Sequence, residues 1–365
     1  MKILYDSQIF SLQDFGGISR YFSELISGFK KHPDIEAEIF LSYSNNKYLE
    51  KIPSLQYNFF LRNFEFKGKR ELLSILNLNK NIHSLLNQNF HLFHPTYYDT
   101  YFLKYIKNKP FVLTIHDLIH EKFPQYFPLW DQTSLKKKAL AMRAKKIIAV
   151  SHNTKKDIIN LYQVEEKKIS VIYHANSLLT SPHNLPVTNF NNYILFVGSR
   201  NAYKNFIFFI KALKPLLDKD PKLRIVCAGG EALSKKEINL FKTLNILNKV
   251  FFPRILSDSY LQSLYQNALA FVFPSLYEGF GIPILEAFAC NCPIILSDTS
   301  SLPEIAKDAA CYFSPYDSLS LKTAIQKIIY NKELRQKLIE KGKNRLKDFS
   351  WEKTVQETKN IYQNI

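Results

Sequence analysis

Short apolar runs alternating with helical patterns recur along the whole chain and constrain its fold more than any other feature. In the first half they cover residues 2 to 6, 91 to 98, 111 to 115, 145 to 150 and 169 to 173. In the second half they cover 193 to 197, 224 to 228, 250 to 253, 268 to 273 and 310 to 313. Runs this short, bounded by turn residues, read as buried strands, and the stretches between them carry helical spacing. Strands separated by crossover helices must pair in parallel and be covered on both faces. The expectation is an α/β chain with two doubly wound, Rossmann-like parallel sheets, whose ligands bind at the carboxyl ends of the strands. Between His174 and Asn192 the composition shifts to Asn, Ser, Thr, Pro and His, which reads as a linker. The expected domains are 1–186 and 187–348, followed by a closing helix over 349–365. A chain of 365 residues is long enough for two cores.

Composition narrows the function classes. With 46% hydrophobic and 22% charged residues the chain is globular, and no uncharged apolar run is long enough to span a bilayer. Met1 to Tyr5 enters a strand directly and meets Asp6, so no signal peptide and a cytoplasmic location are expected. Cys227, Cys290, Cys292 and Cys311 show neither disulfide nor zinc spacing and read as small buried apolar residues. No Asp-x-Asp motif is positioned to hold a catalytic divalent ion, so neither metal nor cofactor is expected. The net charge of +17 is shared almost evenly between the halves. It admits nucleic acid, an anionic membrane or phosphorylated substrates as partners.

The chemistry concentrates between Phe273 and Asp298. Strand 268 to 273 is followed by Glu278-Gly279-Phe280-Gly281, where glycines permit a sharp turn and close approach to a ligand, and by Pro283 in a first helical turn. The N-terminus of that helix suits a phosphate. Glu286, one turn in, and Glu278, just before, would repel a phosphate and so read as groups gripping hydroxyls. A sugar nucleotide unites these requirements. Either glutamate alone is more ordinarily a surface helix residue; the ordered set is the signal.

Other segments carry weaker signals. Gly16 and Gly17 open a helix through Tyr21, Leu25 and Phe29, without the dinucleotide spacing Gly-x-Gly-x-x-Gly. A tight turn and a ligand loop remain equally open there. His116 stands at the carboxyl end of strand 111 to 115, beside Asp117, which is expected to orient its ring. A structural histidine is the ordinary alternative. Gly198, Arg200, Lys204 and Asn205 follow strand 193 to 197 as a phosphate clamp would, or as solvated surface groups. Residues 57 to 70 interleave Tyr57, Phe59, Phe60, Phe64 and Phe66 with Arg62, Lys67, Lys69 and Arg70. They suit a membrane interface or single-stranded nucleic acid, or a buried strand with a charged end. A basic helix from Lys136 to Lys146 is a second candidate for an acidic surface, or a solvated face. Ser151 is placed to cap the next helix.

Taken together, the Glu278-x7-Glu286 pattern, the Tyr277-Glu278-Gly279-Phe280-Gly281 loop, Thr114-Ile115-His116-Asp117-Leu118 and Lys204-Asn205 resemble the retaining glycosyltransferases of family 4, which have the GT-B fold. The resemblance covers nearly the whole chain and is most specific from Tyr193 onward. It implies two Rossmann-like domains facing across a cleft, with the last helix crossing back to the first. It also implies transfer of a hexose from a nucleoside diphosphate sugar to a hydroxyl of a glycan or polyprenyl-linked acceptor. In this reading Glu286 binds ribose, Glu278 with Phe280 and Gly281 holds the donor sugar, and His116 touches that sugar. Lys204, Arg200 and the Gly16-Gly17 loop meet the diphosphate, and Arg254 and Leu256 border the base. Many members carry Arg directly after the glycine, where this chain has Ser199. Members with similar loops often use GDP-mannose, so mannose is the first guess, in assembly of a surface polysaccharide such as lipopolysaccharide at the inner face of the cytoplasmic membrane. Peripheral contact with anionic membrane fits that setting, and nucleic acid is not an expected partner. A nucleotide-sugar epimerase of the same fold and a basic nucleic-acid-binding protein are the rivals.

Overall fold

The computed structural model describes every residue except 53, 54, 63, 179 to 189, 201, 231 and 256. It divides into one unit of Met1–Ala175 with Ser350–Ile365, and a second of Asn176–Phe349. The expected boundary near residue 186 lies outside the described residues.

The first unit contains strands β1 (Lys2–Tyr5), β2 (Glu36–Ile39), β3 (Leu92–His94), β4 (Val112–Ile115), β5 (Lys146–Ala149) and β6 (Ile169–Val171). They form parallel sheets in the orders β2-β1-β3 and β4-β5-β6, joined by a parallel bridge from Phe93 to Phe111. The chain therefore winds outward in both directions from a switch point between β1 and β3. Strand β2 was not among the expected strands. Its sequence, Glu-Ala-Glu-Ile, holds a single branched residue, Ile39, no aromatic one, and two glutamates, which strands disfavour. It pairs along the edge of β1, where Lys2 holds Glu38 at 2.6 Å and Glu36 at 3.6 Å. The C-terminal helix, Trp351–Gln363, packs in this unit through Tyr362, whose hydroxyl meets that of Tyr5 at 2.7 Å and His94 Nδ1 at 2.6 Å.

In the second unit β7 (Tyr193–Val197), β8 (Arg224–Ala228), β9 (Val250–Phe251), β10 (Ala270–Phe273), β11 (Ile294–Ser297) and β12 (Cys311–Phe313) form one parallel sheet in the order β12-β11-β10-β7-β8-β9. Its switch point falls between β7 and β10. Ile194, Ile225, Val272 and Ile295 on the strands pack with Phe209, Leu213 and Ile325 of the helices. Strands β10 and β11 are buried throughout and β7 in all but Val197, as a doubly covered sheet requires. Cys227, Cys290 and Cys292 are free and buried, and Cys311 is half-buried and free.

Candidate active site

Strand order decides which loops meet in the second unit. The loops after β7 and β10 leave adjacent strand ends on either side of the switch point. The first is shaped by Gly198, at φ +122°, which packs near Gly229 and Gly230 at the end of β8. It runs through a turn at Ala202–Lys204 to Asn205, whose left-handed backbone starts helix Phe206–Lys219 and whose side chain donates to the Pro315 carbonyl at 2.8 Å. The second loop is tied to it by the Leu276 N–H, which donates to the Tyr203 carbonyl at 2.8 Å.

These loops bring Lys204 and Glu278 together. Lys204 Nζ donates to Glu278 Oε1 at 2.6 Å, with both side chains largely shielded and the ammonium over the Phe273 ring at 5.2 Å. The turn behind Glu278 is pinned by serines. The Glu278 N–H donates to Ser300 Oγ at 3.0 Å, and Ser301 Oγ donates to the carbonyls of Glu278 and Phe280 at 2.9 and 3.1 Å. Gly281, at φ +103°, then starts helix Ile282–Ala289, with Pro283 in its first turn. In that helix Glu286 is buried and accepts from the Tyr265 hydroxyl at 3.0 Å, and the buried phenol is held in its neutral form well above its ordinary range. The turn thus presents two buried carboxylates, one held by a cation and one by a neutral phenol.

Arg200 is placed differently from Lys204. Its Nε donates to Glu237 Oε1 at 2.6 Å, and its guanidinium lies over the rings of Phe252 and Phe206 at 5.2 and 6.0 Å. Glu237 itself closes the capping box of Ser234 at helix Lys235–Thr243. This pairing joins Arg200 to a helix start beyond β8. Arg254 is exposed, and Leu256 lies outside the described residues.

In the first unit, Gly17 opens helix Gly17–Gly28, and Gly16 precedes it in extended conformation. The side chain of Gln13 folds over that start, its Oε1 accepting from the Ser19 N–H at 3.2 Å. A side chain at Gly16 would collide with it. His116 is buried at the end of β4, its backbone N–H donating to Tyr98 Oη at 3.0 Å. The ring packs edge-on to Tyr21 at 5.2 Å and stacks on His174 at 5.6 Å. Burial holds His116 at about 3, so the imidazole is neutral at physiological pH. Its Nε2 is buried and has no hydrogen-bond partner among the described residues.

Asp117 does not take the expected role of orienting that ring. Its carboxylate accepts from the Ile119 N–H at 3.1 Å and lies 3.8 Å from Lys137 Nζ, which makes it a turn-forming group. Lys137 also departs from expectation. Within the basic helix it is fully buried and donates to Glu121 at 3.1 Å and to the Asp117 carbonyl at 2.9 Å. Among the described residues of 57 to 70, Tyr57 and Phe60 are half-buried and Lys69 is buried. Phe59, Phe64 and Phe66 are exposed, and Arg62 lies over the Phe59 ring at 4.4 Å. Tyr265, Ser300, Ser301 and His174 escaped sequence reading because each reaches its partner across the fold, with no local spacing to mark it.

A doubly wound sheet carrying a cation, two carboxylates and a glycine turn at its switch point is an α/β unit of the kind that takes ligands at that edge, here in a chain with a second sheet of the same kind. Two family models match, "Glycosyl transferases group 1" over residues 182–345 and "Glycosyltransferase Family 4" over residues 15–175. The chain belongs to the family-4 glycosyltransferases and has the GT-B fold. It is 36% identical to the O-antigen chain mannosyltransferase RfbU of Salmonella typhimurium over 59% of its length and 60% of that relative's. It is 29% identical to O-antigen chain mannosyltransferase B of Escherichia coli, over 69% of each chain. The first of these matches therefore spans about three fifths of the relative. Among solved structures, the sucrose-phosphate synthase of Thermosynechococcus elongatus superposes with a TM-score of 0.77 at 18% identity, covering 100% of this chain and 98% of that one. Anabaena HepE in complex with UDP and glucose gives 0.77 at 18%, covering 100% of both chains.

Proposed function

We propose that this protein is a retaining, metal-independent hexosyltransferase that uses a nucleoside diphosphate sugar and builds a surface polysaccharide. The observation that carries the reading is the Lys204–Glu278 pair over the Gly279–Gly281 turn, with Glu286 on the helix behind it. Glu286 takes the ribose hydroxyls, and Glu278 with the backbone of Phe280 and Gly281 holds the sugar. Lys204 exchanges Glu278 for the diphosphate when the donor enters, since a diphosphate offers more negative charge than one carboxylate. It then stabilises the charge that develops as the bond from the anomeric carbon to the phosphate oxygen breaks. The acceptor oxygen attacks the same face, and its proton passes to the leaving phosphate. Neutral His116 offers Nε2 to a sugar hydroxyl as a hydrogen-bonding group. The mannosyltransferase relatives support mannose, with GDP as the carrier, and an acceptor that is a glycan or a polyprenyl-linked sugar. An acceptor of the second kind places the protein at an anionic membrane.

The test is thermal stabilisation of the purified protein by UDP, GDP, ADP, dTDP and their sugar conjugates, beside a Glu286→Ala variant. A shift for one base, lost in the variant, is the expected result and names the donor. A shift with oligonucleotides and none with any nucleotide would defeat the proposal.

A further inference from the structure

A glutamate on a helix does not by itself fix the plane of its carboxylate. The last torsion of the side chain is broad and roughly two-fold, so its oxygens turn freely past a ligand unless a second group holds one of them. For Glu286 that group is Tyr265, whose hydroxyl donates to Oε2 at 3.0 Å. Burial, and then the charge of Glu286, keep the phenol neutral. A carboxylate accepts only, so the phenol must be the donor, and a bond to a charged acceptor is among the stronger ones.

Tyr265 is itself a fixed point. It is fully buried in the last turn of helix Asp258–Gln266. Its ring packs edge-on to Phe271 of β10 at 5.4 Å, and the carbonyl of Leu264, one residue before it, accepts from the Tyr193 hydroxyl of β7 at 2.6 Å. The two strands that border the switch point thus hold the helix end that delivers the hydroxyl. Donor and acceptor both stand on helices, which keep geometry more closely than loops do. A fixed plane decides which nucleotide sugar fits. The two neighbouring hydroxyls of a ribose can donate together to a carboxylate whose plane is set, whereas 2′-deoxyribose offers only one. A buried group built to accept a hydroxyl rejects the analogue that lacks it, because the group is left unpaired. A carboxylate released to turn follows the remaining hydroxyl and discriminates less.

We propose that Tyr265 is a positioning residue that sets the plane of Glu286 and thereby makes the site prefer ribonucleotides to deoxyribonucleotides. The same preference puts donors of the deoxythymidine series outside its range. That Glu286 meets the sugar of the nucleotide rests on the transferase reading. The experiment is calorimetric titration of the full chain with GDP, UDP and ADP and with their 2′-deoxy counterparts. It compares wild type with Tyr265→Phe, which keeps the ring and its packing, with Glu286→Ala, and with the double variant, each checked for folding by a thermal melt. Wild type is expected to favour the ribonucleotide about 10- to 100-fold. In Tyr265→Phe the ratio should shrink about tenfold, through weaker binding of the ribonucleotide with the deoxynucleotide little changed. Glu286→Ala should lose the ratio, and adding Tyr265→Phe to it should change the ratio no further. An unchanged ratio in Tyr265→Phe, whether or not both nucleotides weaken, overturns the proposal; its loss in Glu286→Ala would then leave the ribose reading standing. A wild-type chain that takes both sugars alike removes the ribose from Glu286, and one that binds none of the six nucleotides removes the transferase reading; the proposal falls with either.

Discussion

Lys204 is the side chain on which the proposed chemistry turns, and its partner explains why removing it has two consequences. Lys204→Ala withdraws the cation from the leaving group and strands the buried carboxylate of Glu278. Loss of one preorganised charge-stabilising group costs about 10²- to 10³-fold in turnover, to be measured as hexose transfer with donor saturating. Glu278→Gln in the same background removes the stranded charge, so it should restore thermal stability while leaving transfer low. Three buried histidines make a separate residue-scale prediction. Burial holds His94 and His116 at about 3 and His174 well below the ordinary imidazole value. Unfolding returns each to about 6.5, so between about pH 3 and 6.5 the unfolded chain binds more protons, and stability rises with pH. The contribution is complete above that window and falls away as the solution is acidified, by about 2 kcal/mol at pH 5 for each of His94 and His116, and His174 acts in the same sense. Asp6 acts in the opposite sense over the carboxylate range, because burial raises its pKa. Denaturant melts from pH 7.5 to 5 check this, and His116→Gln should flatten the slope; an unchanged slope would show that the histidines do not set it. These residues also show what sequence can reveal about a site. Glu278, Glu286 and Lys204 announce themselves by local spacing. Tyr265 and His174 become legible only when strand order brings distant segments together.

At the scale of elements, helix Ile282–Ala289 is held in place by helix Lys332–Leu346, and a glycine governs the contact. A side chain at Gly342 would lie 2.5 Å from Cδ1 and 2.9 Å from Cε1 of the buried Phe288 ring. Gly342→Ala therefore overpacks the support of the helix carrying Glu286, at a cost of about 1–3 kcal/mol. Replacing the ring as well, in Gly342→Ala/Phe288→Leu, should recover part of the loss, with nucleotide affinity following stability in both variants. Most elements were legible because their signals are local. The apolar run of β10, the cap that Ser151 gives to Thr154, and Pro283 in the first turn of its helix are each written within a few residues. Strand β2 was not, because an edge strand of alternating Glu pairs on one side only and is chosen by Lys2 of its neighbour. Lys137 shows the same limit from the other side. One cation in a basic helix is buried because Glu121, on another helix, waits for it.

At the scale of the molecule, charge and exposed apolar surface together bear on where the protein works. The chain carries +17, and the first unit exposes Phe59, Phe64 and Phe66 near Arg62, Lys67 and Arg70. It also exposes Leu129 and Trp130 almost completely, a pair that periodicity could not single out because it lies in a loop between helices. Among the described residues no helix is long and apolar enough to cross a membrane, so any attachment through these groups would be interfacial. Basic residues near an anionic bilayer contribute about 1 kcal/mol each, and inserted aromatics add an apolar part that salt does not screen. The two parts can be separated. Protein should sediment with vesicles containing anionic lipid and not with neutral ones. Raising salt from about 0.1 to 1 M, which shortens the screening length from about 10 to about 3 Å, should release most of it. The chain has two tryptophans, and Trp351 is half-buried beside Tyr21, so a blue shift of fluorescence on binding reports Trp130. Trp130→Ser should abolish the shift and weaken binding without altering its salt dependence. Equal binding to neutral vesicles would reject the electrostatic part, and binding with no spectral change would reject insertion of the loop.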